Sequence, residues 1–254
     1  MPETTVKTDS PDISTASPEE IARFTKIADS WWDPNGEFKP LHQLNPLRTS
    51  YIVDHLCQHF GRDADSERPL EGLKLIDIGC GGGLLCEPMR QLGATVSGID
   101  AGEKSLAIAR VHAQKSGLEI DYRHVLPEDL ASESAVYDVV LNMEVIEHVT
   151  DLNTFFAAST GLLKPGGAMF LSTVNRTFKS LALAKVAAEY ILRWLPAGTH
   201  DWRKFVKPSE MAKALRRVNV DIKGLQGLSY APITDEWYPA DDLGVNYMAY
   251  AVKD

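Results

Sequence analysis

The run Leu75-Ile76-Asp77-Ile78-Gly79-Cys80-Gly81-Gly82-Gly83-Leu84-Leu85 constrains the chain more than any other segment. An apolar strand enters a cluster of glycines and leaves it as the start of a helix. Glycine admits positive φ and lets a ligand lie against bare backbone. A strand, glycine loop and helix in this order is the opening unit of a doubly wound α/β sheet, whose ligands bind beyond the carboxyl ends of the strands. The next strand ends in Gly98-Ile99-Asp100, which puts a carboxylate 21 residues after Gly79. In such folds that acid accepts hydrogen bonds from the ribose hydroxyls of an adenosine ligand.

Spacing separates two nucleotide readings. A dinucleotide fingerprint needs G-x-G-x-x-G, but the sixth position counted from Gly79 is Leu84, so the third glycine of an NAD-dependent oxidoreductase is missing. Asp77 ahead of Gly79, Gly81 and Gly83 instead resembles motif I of class I S-adenosylmethionine (SAM) methyltransferases. SAM carries no pyrophosphate, so a helix N-terminus shaped for phosphate is unnecessary. It needs an anion near its cationic methionyl end and a carboxylate at its ribose, the parts assigned to Asp77 and Asp100.

The rest of the chain fits that fold class. Apolar runs at 73–78, 95–99, 120–125, 136–143 and 168–174 alternate with helix-sized segments, including 84–92 and 103–115 before Gly117. This alternation reads as a parallel α/β sheet. Two later β-like stretches, 220–228 and 247–252, read as an antiparallel pair at the sheet edge. Residues 1–18 are rich in Thr, Ser, Pro and Asp and read as a mobile tail. Residues 19–254 read as one domain with a helical cap over 19–68. Ser17-Pro18-Glu19-Glu20 forms a helix start with Ile21, Phe24, Ile27 and Ala28 on one face, and a second helix is expected after Pro46.

With 26 Lys and Arg against 35 Asp and Glu, the net charge is −9. Such a surface repels phosphate backbones, which disfavours nucleic-acid partners. Cys57, Cys80 and Cys86 show no zinc or disulfide spacing. No apolar run reaches the roughly 20 residues that cross a bilayer, and no targeting pattern opens the chain. A cytoplasmic location is expected.

A second cluster follows the fourth strand: Met143-Glu144-Val145-Ile146-Glu147-His148-Val149. In a helix, Glu144, Glu147 and His148 at i, i+3 and i+4 would share one face at the ligand crevice. Two chemistries suit them. A divalent ion held by the three would stabilise a catechol oxyanion, with the carboxylates favouring Mg²⁺ and the imidazole favouring Zn²⁺. Alternatively His148 acts as general base toward a phenol, which near ~10 is otherwise protonated at neutral pH. A purely structural role, acids complementing a helix terminus, is the bland alternative.

Before the sheet, Trp31 and Trp32 could cover a ligand or simply pack, and Arg48 could fork onto a carboxylate. After the fifth strand, an insertion over 176–206 holds an apolar stretch at 180–195 edged by Lys179, Lys185, Arg193 and Trp194. It is too short to span a bilayer, and its composition suits either an interfacial helix or a helix packed on the protein.

The blocks Trp31-Trp32, Gly36-Glu37-Phe38-Lys39-Pro40-Leu41-His42 and Asn45-Pro46-Leu47-Arg48 resemble the N-terminal block of the ubiquinone-biosynthesis O-methyltransferases. Further matching blocks are Ser172-Thr173-Val174-Asn175-Arg176, Ala188-Glu189-Tyr190-Ile191-Leu192-Arg193, Gly198-Thr199-His200-Asp201 and Val245-Asn246-Tyr247-Met248, so the resemblance covers nearly everything after residue 18. It implies a Rossmann-like, seven-stranded, mostly parallel sheet with an antiparallel edge strand. It also implies SAM-dependent methylation of ring hydroxyls on polyprenylated catechol and demethylubiquinol intermediates. Arg48, Gly79, Asp100 and Met143 match cofactor-contacting positions, and Glu144, Glu147 and His148 match positions that bind a divalent ion. A substrate with an isoprenoid tail favours peripheral contact of 180–195 with the inner face of the cell membrane, within a ubiquinone-biosynthesis complex. Two features depart from the family pattern. The third strand is followed by Val125-Leu126-Pro127-Glu128-Asp129 where an acid usually receives the adenine amine, so backbone groups are expected to recognise adenine, and residues 235–243 diverge, with consequences for tail preference. A catalytically silent SAM-binding or membrane scaffold is the non-enzymatic rival, and the intact acid and His cluster argues against it.

Overall fold

The computed structural model describes residues 14–133, 136–182 and 201–254. Its elements run α1 (Pro18–Ile27), α2 (Lys39–Phe60), β1 (Lys74–Ile78), α3 (Cys86–Gln91), β2 (Thr95–Asp100), α4 (Glu103–Lys115), β3 (Asp121–His124), α5 (Pro127–Ala131), β4 (Tyr137–Met143), α6 (Leu152–Gly161), β5 (Leu163–Val174), α7 (Phe178–Ser180), α8 (Pro208–Arg216), β6 (Val220–Ala231), β7 (Glu236–Ala240) and β8 (Asn246–Lys253). The strands form one sheet in the order β3-β2-β1-β4-β5-β8-β6-β7. β1 to β5 pair in parallel, and β8 pairs antiparallel with both β5 and β6. The reversal of strand order between β1 and β4 opens the crevice in which such sheets hold ligands.

Period-two alternation divides the strands between two cores. Leu75, Val96, Val139, Leu141 and Phe170 face α2, α3 and α4, where they meet Ile52, Leu56, Met89, Leu106 and Ala109. Ile76, Ile99, Val140, Met169 and Leu171 face the other way, onto Leu130 of α5, Phe155 and Phe156 of α6, and Met211 and Leu215 of α8. Each fully buried side chain of this size contributes roughly 1.5–3 kcal/mol relative to exposure. The two covered faces make the central strands continuous apolar runs, the signal that revealed them in sequence.

Four expectations change. The sheet has eight strands, because β6 continues to Ala231 and turns back at Asp235 (φ 57°) to pair with β7. Pro239 is tolerated in β7 because this strand lies at the edge. α2 starts at Lys39 and carries Pro46 within it. Pro40, in the first helical turn, is the proline whose fixed φ opens the helix, while the break expected at Pro46 is overridden by the burial of Leu44, Arg48, Ile52 and Leu56. Residues 14–17, grouped by composition with the tail, are held in place. Ala16 bridges Val149, the Thr15 N–H donates to Glu128, and Ser17 caps α1. The fourth change concerns the acid and His cluster, described below. The stretch 180–195 lies, beyond residue 182, outside the described residues.

Candidate functional site

Beyond the carboxyl ends of β1, β2 and β4 lies a cavity of about 610 Å³. Arg48, Asp77, Gly79, Gly81, Asp100, Met143, Glu144, Glu147 and His148 all line it. Residues separated by up to a hundred positions in sequence are therefore brought to one space.

The glycine loop forms one wall. Gly79, Gly81 and Gly83 all have positive φ, at 75°, 52° and 82°. A Cβ on Gly79 would come within 2.7 Å of Val145, and one on Gly81 within 2.4 Å of the Trp31 ring. The loop is thus closed both conformationally and sterically to side chains. Asp100 accepts hydrogen bonds from the Gly81 N–H (2.9 Å) and the Gly102 N–H (2.7 Å), which fix its carboxylate at the end of β2. Burial pushes its carboxyl above the ordinary value, opposed by those two donors.

Asp77 is buried under the loop and accepts from Cys86 Sγ at 3.4 Å. Burial pushes its carboxyl up to about 7, opposed by the Cys86 hydrogen bond and reinforced by the charge of Asp100. The unfolded chain releases this proton near pH 3.8 while the folded chain keeps it to about 7, so stability falls as pH rises through that window. Urea titrations of the ligand-free protein at pH 5 and pH 7.5 should show the loss. Asp77→Asn should remove on the order of 3 kcal/mol of the difference; an unchanged difference in that variant would assign the slope to other groups.

The acid and His cluster is not a helix. Glu144 has φ 55° and residues 145–148 form turns, so the shared helical face expected from i, i+3 and i+4 spacing does not exist. Glu144 Oε1 instead accepts from Arg48 Nη2 (2.7 Å) and Ser172 Oγ (2.8 Å). These bonds, with its N–H donating to the Ser172 carbonyl, hold the left-handed residue in place. Glu147 is buried, accepts from Thr173 Oγ1 at 2.8 Å, and keeps Oε1 buried without a partner. Burial, and then the charge of Glu144, push its carboxyl upward. His148 Nδ1 lies 3.3 Å from Glu20 Oε2. Among the described residues, no three His, Cys, Asp or Glu side chains are grouped to hold a metal ion.

Glu20 is the residue that sequence reasoning missed. It reads there as an ordinary acid in the first turn of α1, yet its contact with His148, and then those with Lys204 and Arg23, hold its carboxyl down to about 2. No sequence signal links the two positions. The tryptophans, ambiguous in sequence, divide. Trp31 lines the cavity, stacks on Phe38 (3.7 Å between centroids) and donates from Nε1 to Ser105 Oγ at 3.0 Å. Trp32 packs instead, stacked on His112 at 3.4 Å and donating to the Gly82 carbonyl at 2.9 Å. Both fasten the cap to the glycine loop and α4. After β3, Val125, Leu126 and Pro127 line the cavity, and Glu128 is engaged by the Thr15 N–H.

Comparison with known proteins agrees with this architecture. Residues 50–223 match the methyltransferase domain family. The chain is 53% identical over 241 residues to the ubiquinone biosynthesis O-methyltransferase of Paramagnetospirillum magneticum, covering 95% of this chain and 96% of that one. It is 50% identical to the protein of the same name from Chelativorans sp., covering 92% of each. Magnesium protoporphyrin IX methyltransferase from Synechocystis PCC 6803, solved with bound SAM, shares the fold at a TM-score of 0.62 and 18% identity, covering 95% of this chain and 100% of that one. A mostly parallel methyltransferase sheet, a glycine loop with an acid at the end of the next strand, and half-identical relatives along almost the whole length place this chain in the ubiquinone biosynthesis O-methyltransferase family.

Proposed function

We propose that the protein methylates a ring hydroxyl of polyprenylated catechol and demethylubiquinol intermediates, with SAM as methyl donor. The observation that carries this reading is the meeting, in one cavity, of the Asp77, Gly79, Gly81 and Asp100 wall with the Glu144, Glu147 and His148 turn. SAM fits the first wall because Asp100 stands at the end of β2 beside the loop with acceptor capacity to spare and because Arg48 keeps a buried Nε–H without a partner. When bound, it supplies an electrophilic methyl group on a sulfonium centre.

The residues divide the work. Asp100 accepts from the ribose hydroxyls, since each of its oxygens retains acceptor capacity beside its one N–H donor. Asp77 faces the cationic end, and a bound cation there restores the carboxylate that burial otherwise protonates. Arg48 offers a donor to the methionyl carboxylate, and Met143 packs at the end of β4. His148, with Nδ1 turned to Glu20, has Nε2 left to take the phenol proton. Positioning the oxygen in line with the methyl group, and removing its proton, supply most of the acceleration.

A divalent ion on Glu144, Glu147 and His148 is the second reading. The orphaned Oε1 of Glu147 favours it. The pairing of Glu144 with Arg48 and of His148 with Glu20 opposes it, because two of the three donors are already engaged. The set as arranged does not fit an ion. Methyl transfer from labelled SAM to a short-tailed demethylubiquinol analogue should survive EDTA. Activity that vanishes with EDTA and returns with Mg²⁺ or Zn²⁺ would reassign the three side chains to an ion, and absence of product despite binding of S-adenosylhomocysteine (SAH) would refute the substrate.

A tailed substrate also implies access to a bilayer. No helix among the described residues is long and apolar enough to cross a membrane. Peripheral contact through 180–195, in a complex of ubiquinone-biosynthesis enzymes at the inner face of the cell membrane, rests on the composition of that segment.

A further inference from the structure

The β6 and β7 hairpin that sequence reasoning did not anticipate lines the cavity through Leu228, Tyr230, Pro232 and Trp237. We infer that this hairpin, with α2, is the tail-binding side of the substrate site, in which Leu44, Leu228 and Trp237 grip the first isoprenoid unit and Tyr230 and Pro232 carry the tail outward. The inference rests on the proposed substrate class and specifies where its apolar part lies.

Asp77, Asp100, Glu144, Glu147 and His148 reach the cavity from β1, β2 and the turn after β4, and Arg48 meets Glu144 from α2. On the hairpin side, Leu228 and Trp237 pack with Leu44 of α2, Met248 of β8 and Met143 of β4 in one apolar cluster. Met143 directly precedes Glu144, so this cluster begins beside the residues assigned to the reacting hydroxyl. Ser229 and Asn246 are polar exceptions on that wall, as is Lys179, which pairs with Asp242.

The wall then leads out of the molecule. Tyr230 packs on Trp237 at 5.3 Å between centroids. Its hydroxyl donates to Asp235 Oδ1 at 2.6 Å, so its polar end is satisfied at the hairpin turn. Tyr238 is 47% exposed and Ile233, at the turn, is 99% exposed. At about 3.4 Å per residue, the strand from Leu228 to Ala231 covers roughly 10 Å, enough for more than one isoprenoid unit. An apolar track that starts at the reacting group and ends at solvent suits a ligand with a polar head and an extended hydrocarbon tail.

The hairpin is held against α2. Asp235 accepts from Lys39 Nζ at 2.8 Å through its side chain and from Gln43 Nε2 at 3.1 Å through its carbonyl. This clamp ties the hairpin turn to the first turns of α2.

The test compares KM for two demethylubiquinol analogues, one with a methyl group and one with two isoprenoid units at the same ring position, with SAH binding measured as the control for folding. The wild type should favour the prenylated analogue by about tenfold or more, because several buried methylenes are removed from water. In Trp237→Ala that preference should fall to within about threefold of unity. If Trp237→Ala loses SAH binding, Tyr230→Ala, further out on the same face of the hairpin, decides by a smaller fall in the same ratio. A wild-type preference retained in the folded variant, or a wild type with no preference, would overturn the tail assignment while leaving the methyltransferase reading intact. Methylation of neither analogue by the wild type would instead overturn the substrate reading on which it rests.

Discussion

Asp100→Ala should raise the dissociation constant of SAM about a hundredfold while leaving the fold intact. The carboxylate sits at the carboxyl end of β2, where a doubly wound sheet presents an acid to the ribose. A ribose hydroxyl donating to an ionised acceptor is worth roughly 1.5–3 kcal/mol, so losing the stronger of the two bonds, with water partly replacing the other, costs about 2.7 kcal/mol, a hundredfold. Loss of the side chain also frees the Gly81 and Gly102 N–H groups, which the carboxylate now accepts. Gly81 would then relax, so part of the effect is loss of a preorganised loop. Asp100→Asn separates the two contributions. Its amide oxygen accepts from one of those N–H groups, and its NH₂ cannot accept from ribose, so it should bind SAM more tightly than the alanine variant and more weakly than the wild type. Calorimetry with SAM or SAH reads all three, with circular dichroism as the check on folding. An unchanged dissociation constant in Asp100→Ala would remove the ribose assignment.

What was legible in the sequence follows from range. The parallel strands announce themselves locally, because burial on both faces makes them continuous apolar runs, and the glycine loop and Asp100 stand at a spacing that the fold dictates. α1 and α4 were equally readable, from Ser17 as cap and from Gly117 beyond the helix end. The errors arose where distant contacts decide. Pro46 suggests a helix start, and only the burial of Leu44, Arg48 and Ile52 against the sheet keeps α2 running through it. β7 has no period of its own, and exists because β6 supplies a partner and Asp235 finds Lys39 and Gln43 on α2. Glu144, Glu147 and His148 are recognisable by type and by their place after β4, but their spacing implies a helix that does not form. The left-handed Glu144 is held by Arg48 and Ser172, and neither partner can be inferred from E-x-x-E-H spacing. Glu20 shows the same limit, since its partner lies on another element.

His148→Ala should lower kcat by about 10²- to 10⁴-fold, the range contributed by a positioned general base, and leave SAH affinity within about twofold of wild type. The substrate hydroxyl titrates near ~10 and is almost wholly protonated at neutral pH, so removal of its proton must accompany attack on the methyl group. Because the side chain stands on the turn after β4 and not on the glycine loop, its removal spares the Asp77 and Asp100 wall. The partner residue supplies a graded control. Glu20 holds His148 Nδ1 and is itself anchored by Lys204 at 3.1 Å. Glu20→Ala should therefore lower kcat less, by roughly tenfold, as expected when a base keeps its chemistry and loses its orientation. Burst kinetics then separate chemistry from product release. A smaller effect at His148 than at Glu20 would invert the assignment, making the pair a latch that fastens α1 over the cavity. Full activity in His148→Ala would return the turn to a structural role and leave positioning alone to account for the rate.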